Sequence, residues 1–301
     1  LERLSNCVSC LGDLYRALKG SEFRSVSSDL RPLPRSAEVW VCGECGLVQR
    51  NRSEEWNNCC TDLYQSYEAY PHGGGTEQKI VESQDSALVS RSEALVKHVQ
   101  QSCNPKEKHS WLDVGCGQGH LLSAVADQLP WMSLVGSDKS EEAEGYLRTI
   151  AGATFCQDIE YVRDRFDIIS LVHVLEHFVD PKKELQKIRE KLNDDGLLLI
   201  QVPSFERNPY DLIIYDHGTF FTKESIVRLL SSACFKVLDI GHSVSMKELT
   251  VIARRREKET KLARVTPERL NETLSTLHSS FEELAEIRRV ARALVDSGKI
   301  T

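Results

Sequence analysis

The sequence predicts an α/β fold: an open, mostly parallel sheet of seven strands, with a small cysteine-bearing domain ahead of it and a helical tail behind. Three observations carry this. Strand-like and helix-like segments alternate between about residues 110 and 255, which implies a parallel sheet covered on both faces. One apolar strand, Trp111-Leu-Asp-Val-Gly-Cys-Gly-Gln-Gly-His120, runs into three alternate glycines and then a helical pattern. Two C-x-x-C knuckles stand before the sheet, and a charged segment with a single apolar seam follows it. The corresponding boundaries are 1–75, 76–255 and 256–301.

At 301 residues the chain is long enough for one large domain and a smaller one. Its 41% hydrophobic and 28% charged residues are ordinary for a soluble globular protein. No apolar run reaches the length of a membrane span and no signal peptide is visible, so a cytoplasmic protein without a membrane partner is expected. The chain begins at Leu1, which leaves open a segment upstream. A net charge of -7 argues against nonspecific nucleic-acid binding.

The knuckles are Cys7-Val-Ser-Cys10 and Cys42-Gly-Glu-Cys45. Together they can supply four thiolates to one tetrahedral zinc, and Gly43 and Gly46 permit the tight turns such knuckles close. The segment between them, with Pro32 and Pro34, has too little apolar content to fold alone, so a metal would supply much of its stability. Cys59 and Cys60 are adjacent and read as structural. Tyr64, Tyr67 and Tyr70 recur at a near-helical interval ahead of the loop Pro71-His-Gly-Gly-Gly75. Glu77 to Gln101 reads as an amphipathic helix, with Ile80, Leu88, Leu95 and Val99 among its apolar positions. Strands are expected at 110–115, 133–138, 153–157, 166–174, 196–202, 235–241 and 247–254, with Asp194-Asp-Gly196 supplying a turn.

A strand that turns into a helix on glycine lets a ligand lie against bare backbone at the helix N-terminus. The dinucleotide fingerprint G-x-G-x-x-G shares that logic, but here His120 stands where its third glycine would be. The next strand, Ser133-Leu-Val-Gly-Ser-Asp138, ends in an acid. This pattern resembles the first motifs of the Rossmann-like S-adenosylmethionine (SAM) methyltransferases. The resemblance implies a seven-stranded methyltransferase sheet closed by an antiparallel hairpin. It also implies that Gly115, Gly117 and Gly119, with Asp113 just ahead, pass under the amino-acid part of SAM. Asp138, beside Lys139, would take the ribose hydroxyls; Asp158 and Ile159 would meet the adenine, and His173 would line the pocket.

The cysteine pairs, the run Cys45-Gly-Leu-Val-Gln49 and the Tyr-x-x-Tyr segment are similar to the zinc-containing sugar C-methyltransferases, which act on nucleotide-linked deoxy-keto-sugars. In that family the tyrosine segment helps cover the active site; here it serves that purpose or packs the two domains together. The family also carries a tyrosine and a Glu-His pair after the fifth strand. The match here is Asp216-His217 followed by Phe220-Phe221-Thr222, with Tyr215 and Tyr210 both near the tyrosine's place. The resemblance implies that His217 takes a proton from carbon 3 of a 4-keto sugar, with Asp216 or Tyr215 orienting it or donating to the oxygen. Two other readings stand beside it: an O- or N-methyltransferase in which His217 shapes the pocket or deprotonates a hydroxyl, and a SAM-fold module without catalysis.

His173-Val-Leu-Glu176-His177 matches H-x-x-E-H, the zinc signature of inverted metalloproteases. That chemistry needs both histidines on one helix face. Here they follow an apolar strand and Pro181 comes soon after, so a loop that shapes the pocket is expected instead. Thr222 should cap a helix, and Thr266-Pro267 should open the tail helix. Leu270, Leu274, Leu277, Phe281 and Leu284 form its single apolar seam. The seam needs a partner: the protein's own body, a second subunit or a further domain. The sugar enzymes continue at this point into another α/β domain, so the resemblance covers residues 1–255, and the chain is truncated or a shorter relative.

Overall fold

Short strands build the N-terminal part of the computed structural model, which describes residues 6–18, 23–65, 77, 79–81, 88–258, 260 and 263–297. The strands are β1 (Leu14–Leu18), β2 (Arg24–Val26), β3 (Pro32–Ser36), β4 (Val39–Cys42) and β5 (Val48–Gln49), followed by helix α1 (Glu54–Gln65). β4 lies between β1 and β5, both antiparallel to it, and β2 pairs with β3. The helix expected from Glu77 starts later. β6 (Lys79–Val81) and β7 (Leu88–Ser90) form an antiparallel hairpin, and α2 spans only Arg91–Ser102. Ser90 accepts from the Glu93 backbone N–H while the Glu93 carboxylate accepts from the Ser90 N–H. This capping box fixes the start, and the Ser-x-x-Glu spacing was present in the sequence to announce it.

The main sheet contains β8 (Ser110–Val114), β9 (Ser133–Ser137), β10 (Ala153–Cys156), β11 (Phe166–Val172), β12 (Leu192–Pro203), β14 (Phe235–Gly241) and β15 (Glu248–Arg255). Their order is β10-β9-β8-β11-β12-β15-β14. All pairings from β10 to β12 are parallel, and β15 runs antiparallel to both β12 and β14. All seven expected strands are present. The Asp194-Asp-Gly196 turn falls inside β12, where the register against β11 jumps from Phe166↔Leu192 to Ile168↔Leu197. The chain therefore bulges there rather than breaking the strand.

Helices α2, α3 (His120–Gln128) and α4 (Glu142–Leu147) cover one face through Leu95, Leu122, Val125 and Leu147. On the other face α5 (Pro181–Lys191) and α6 (Lys223–Ser232) pack Leu185, Ile188, Ile226 and Leu230. Thr222 caps α6 by accepting from the Ser225 N–H. The order reverses between β8 and β11, so their carboxyl ends open a crevice at that point.

The N-terminal unit and the sheet domain are stitched together by β13 (Thr219–Phe220), which pairs with β5 and completes the four-stranded order β1-β4-β5-β13. The tail helix α7 (Pro267–Asp296) begins at the Thr266 cap, as expected. Its Leu277, Phe281 and Leu284 are buried with Val39, Val41, Val48, Phe205 and Phe220, so the seam's partner is the protein's own body. Among the described residues no helix is long and apolar enough to cross a membrane. Of the tyrosine segment, Tyr64 closes α1, while Tyr67 and Tyr70 lie outside the described residues.

Candidate active site and cysteine cluster

The glycine loop owes its shape to backbone conformations that side chains resist. Gly115, Gly117 and Gly119 have φ of 73°, 50° and 76°. A Cβ at Gly115 would stand 2.4 Å from Val174 Cγ2, whereas one at Gly117 would meet nothing within 4 Å. The loop is held open by Asp138, whose carboxylate accepts from the Gly117 N–H at 2.8 Å and the Ser140 N–H at 2.9 Å. Asp113 is buried beneath it and accepts from the Ser170 hydroxyl at 2.6 Å. Burial pushes the Asp113 carboxyl up to about 7, with the Asp138 charge adding to the rise and the Ser170 bond opposing it. Lys139 is exposed beside Asp138. Asp158 caps the short turn Ile159–Tyr161 through the Glu160 N–H, and Ile159 is half-buried. Bare glycine backbone with a flanking carboxylate is a donor set that fits SAM.

His173 ends β11 with φ of 56°. Its Nε2 lies 2.9 Å from Glu248 Oε1 and its Nδ1 3.3 Å from Glu176 Oε1, and Glu248 also accepts from Arg91. Burial works to lower its pKa, but the Glu248 carboxylate overrides this and lifts it to about 9. The chain then makes a 3-10 turn over Leu175–His177. No helix presents both histidines of H-x-x-E-H on one face.

Of the residues expected to do chemistry, His217 and Asp216 turn to different partners. His217 is buried, and its Nδ1 lies 2.5 Å from Asp211 Oδ1. The orienting carboxylate is thus Asp211, from the turn Pro209–Ile213, rather than the neighbouring Asp216. Asp216 turns instead to the Ser28 N–H and hydroxyl and to His177, whose Nδ1 lies 3.4 Å from its Oδ2. Against the cost of burial, the His177 contact holds Asp216 well below the carboxylate range. Burial pushes Asp211 the other way, in spite of His217. Tyr215 is buried with Arg35 and Arg50 over its ring, each 5.7 Å from the centroid, and burial lifts its hydroxyl to about 12. Tyr210 is exposed.

This segment is held by the N-terminal unit. Tyr215 donates its N–H to Val26 O, Arg50 donates its N–H to Gly218 O, and Arg50 Nη2 reaches the carbonyls of Leu212 and Ile214. Burial lowers the Arg50 pKa to about 10. Sequence reading missed Asp211, Arg50 and Ser28, because nothing in their spacing links them to His217.

Cys7, Cys10, Cys42 and Cys45 converge so that their sulfurs all lie within 4.8 Å of one another, with Cys7–Cys45 and Cys10–Cys42 at 3.5 Å. Four thiols this close fit the donor set of one tetrahedral cation. Cys59 and Cys60 stand apart on α1 against Trp56 and Tyr215.

A glycine loop at the switch point of this sheet, with an acid after the second strand, defines a class of α/β proteins that hold a nucleotide-bearing cofactor. The description "Methyltransferase domain" matches residues 90–240, half of the chain, and the chain belongs to that family. It is a SAM-dependent methyltransferase. It is 27% identical over 168 residues to a ubiquinone biosynthesis O-methyltransferase of Coxiella burnetii, covering 48% of this chain and 70% of that one. To the (S)-coclaurine N-methyltransferase of Thalictrum flavum subsp. glaucum it is 25% identical over 149 residues, covering 46% and 41%. Among solved structures it is similar to a plantazolicin methyltransferase in complex with SAH, at 21% identity and a TM-score of 0.47, covering 56% and 83%.

Proposed function

We propose that this enzyme methylates a small molecule whose acidic proton is lost beside His217, and that a zinc ion held by Cys7, Cys10, Cys42 and Cys45 fixes the N-terminal unit forming that wall. The observation that carries the reading is the Asp211–His217 pair: with Nδ1 engaged, Nε2 is left for chemistry. When bound, SAM supplies an electrophilic sulfonium methyl, which passes to the nucleophile while the C–S electron pair returns to sulfur. The glycine loop and Asp138 would hold the donor, with Val174 packed on Gly115 leaving no room for a side chain in the loop. Positioning of this kind supplies much of the rate in group transfer. His217 promotes loss of the acceptor's proton, to itself or to adjacent water.

The substrate class supported by the sequence resemblance is a nucleotide-linked keto-sugar, methylated at carbon. The names of the curated relatives support a second reading, methylation of oxygen or nitrogen. The division at 1–75, 76–255 and 256–301 remains part of the proposal, with β13 as the strand that one unit lends to the other. Turnover measured against nucleotide keto-sugars and against hydroxylated aromatic acceptors tests the choice. Solvent deuterium appearing at carbon 3 of the keto-sugar supports carbon methylation. Turnover of hydroxylated acceptors alone overturns it.

A further inference from the structure

We infer that Glu176, His177 and His217 form a binding site for one first-row divalent cation, distinct from the cysteine cluster. One ligand atom from each lies within 4.8 Å of the others. The arrangement is stronger than proximity alone. Glu176 is 1% exposed, and neither carboxylate oxygen accepts an aligned hydrogen bond; its nearest charged neighbour is His173 Nδ1 at 3.3 Å. A buried carboxylate is costly unless something positive faces it; His173 stands at one oxygen, and Oε2 is left without a partner among the described residues.

Both imidazoles are engaged at Nδ1 by a carboxylate. His217 Nδ1 meets Asp211, and His177 Nδ1 meets Asp216 Oδ2 and the Asp216 carbonyl, the latter at 3.2 Å. Each ring therefore has a carboxylate fixing its tautomer on one side and its Nε2 on the other, the pattern in which metal-bound histidines are held from behind. The rings stand edge-on with centroids 4.6 Å apart, so they do not stack across the space between them. Three buried carboxylates, Glu176, Asp211 and Asp216, share this volume. The buried Arg50 spends its aligned bonds on the carbonyls of Glu38, Leu212 and Ile214 rather than on any of the three.

Two imidazoles and one carboxylate suit manganese, iron or zinc better than magnesium, and three protein ligands leave positions open for a substrate oxygen. This rests on the proposed function of the same residues and makes His217 a ligand: a bound oxygen would be acidified by the cation, its proton passing to water. Substrates with a chelating oxygen pair, such as a diol or an enolisable hydroxyketone, would be preferred.

The test is Mn²⁺ binding to the full chain, followed by electron paramagnetic resonance, with SAM binding measured in parallel by calorimetry. One Mn²⁺ per chain with two coordinated nitrogens is expected. Affinity should fall at least tenfold in Glu176→Gln and His177→Asn, and about ten- to a hundredfold in Asp211→Asn, which touches only a ligand's back. Zinc on the cysteines should stay in all three, and circular dichroism checks that they fold. Mn²⁺ and added Zn²⁺ both failing to bind the folded native chain overturns the inference, as does affinity unchanged in Glu176→Gln and Asp211→Asn. A chain that binds the cation while no acceptor loses a proton beside His217 leaves the site standing and sinks the proposed function instead.

Discussion

The two walls of the crevice are made differently. On the donor side, Asp113, the three glycines and Asp138 come from a run of consecutive elements, and Asp138 reaches back only to Gly117. On the proposed acceptor side, Glu176 and His177 come from the loop after β11, His217 and Asp211 from the segment before β13, and the scaffold of that segment from Val26, Ser28 and Arg50. The first wall is short-range and can form wherever its βαβ unit folds. The second is held by hydrogen bonds from the N-terminal unit. Donor binding and acceptor chemistry should therefore be separable by mutation.

The largest separation is expected from Cys42→Ser. Losing a structural zinc removes on the order of 10 kcal/mol of apparent stabilisation from a small metal-held unit. The variant should lose one zinc equivalent by metal analysis and nearly all methyl transfer, while calorimetry still detects SAM. A Cys42→Ser protein that keeps its metal and its melting temperature breaks the comparison.

Asp113 tests the donor wall through pH. Burial lifts its pKa to about 7, above the ordinary 3.8 of an aspartate, so the proton is held more tightly in the folded state. Its contribution to stability is full below about 4 and is lost as pH rises to about 7. Asp113→Asn keeps the oxygen that accepts from Ser170 and cannot ionise. It should be more stable than the native chain at pH 8, by on the order of a few kcal/mol, and lose that advantage toward pH 4. Melting curves across this range that run parallel for the two proteins would refute the assignment.

His217→Asn should reduce methyl transfer on the order of a hundredfold and leave SAM affinity within a few-fold. Retention of near-native turnover would place the proton's loss elsewhere. Asp138→Ala inverts the pattern: SAM binding should weaken by about 1–3 kcal/mol, since both a ligand contact and the Gly117 N–H lose their partner. The smallest effect is Thr266→Ala, which removes the α7 cap and should cost about 1 kcal/mol in chemical denaturation. Neither SAM affinity nor turnover should move in that variant beyond what its stability explains.

The sequence by itself determined what local rules encode. The strand at Trp111 runs into glycines that no side chain could replace at Gly115, and each C-x-x-C brings its own two sulfurs together within four residues. Thr222 and Thr266 cap their helices through groups three residues on. It failed where a local pattern had a rival: the apolar positions Ile80 and Leu88 suited a helix until Ser90 and Glu93 started one later. Only the tertiary structure decided which carboxylate serves which histidine. Asp216 is the chain neighbour of His217, yet its side chain turns to Ser28 and His177, while Asp211, six residues back, takes His217. It likewise decided that Glu176 and His177, half of a motif with a different meaning on a helix, gather beside His217. Such choices depend on where two distant segments are pinned, here by Arg50 and β13, and no spacing along the chain records that.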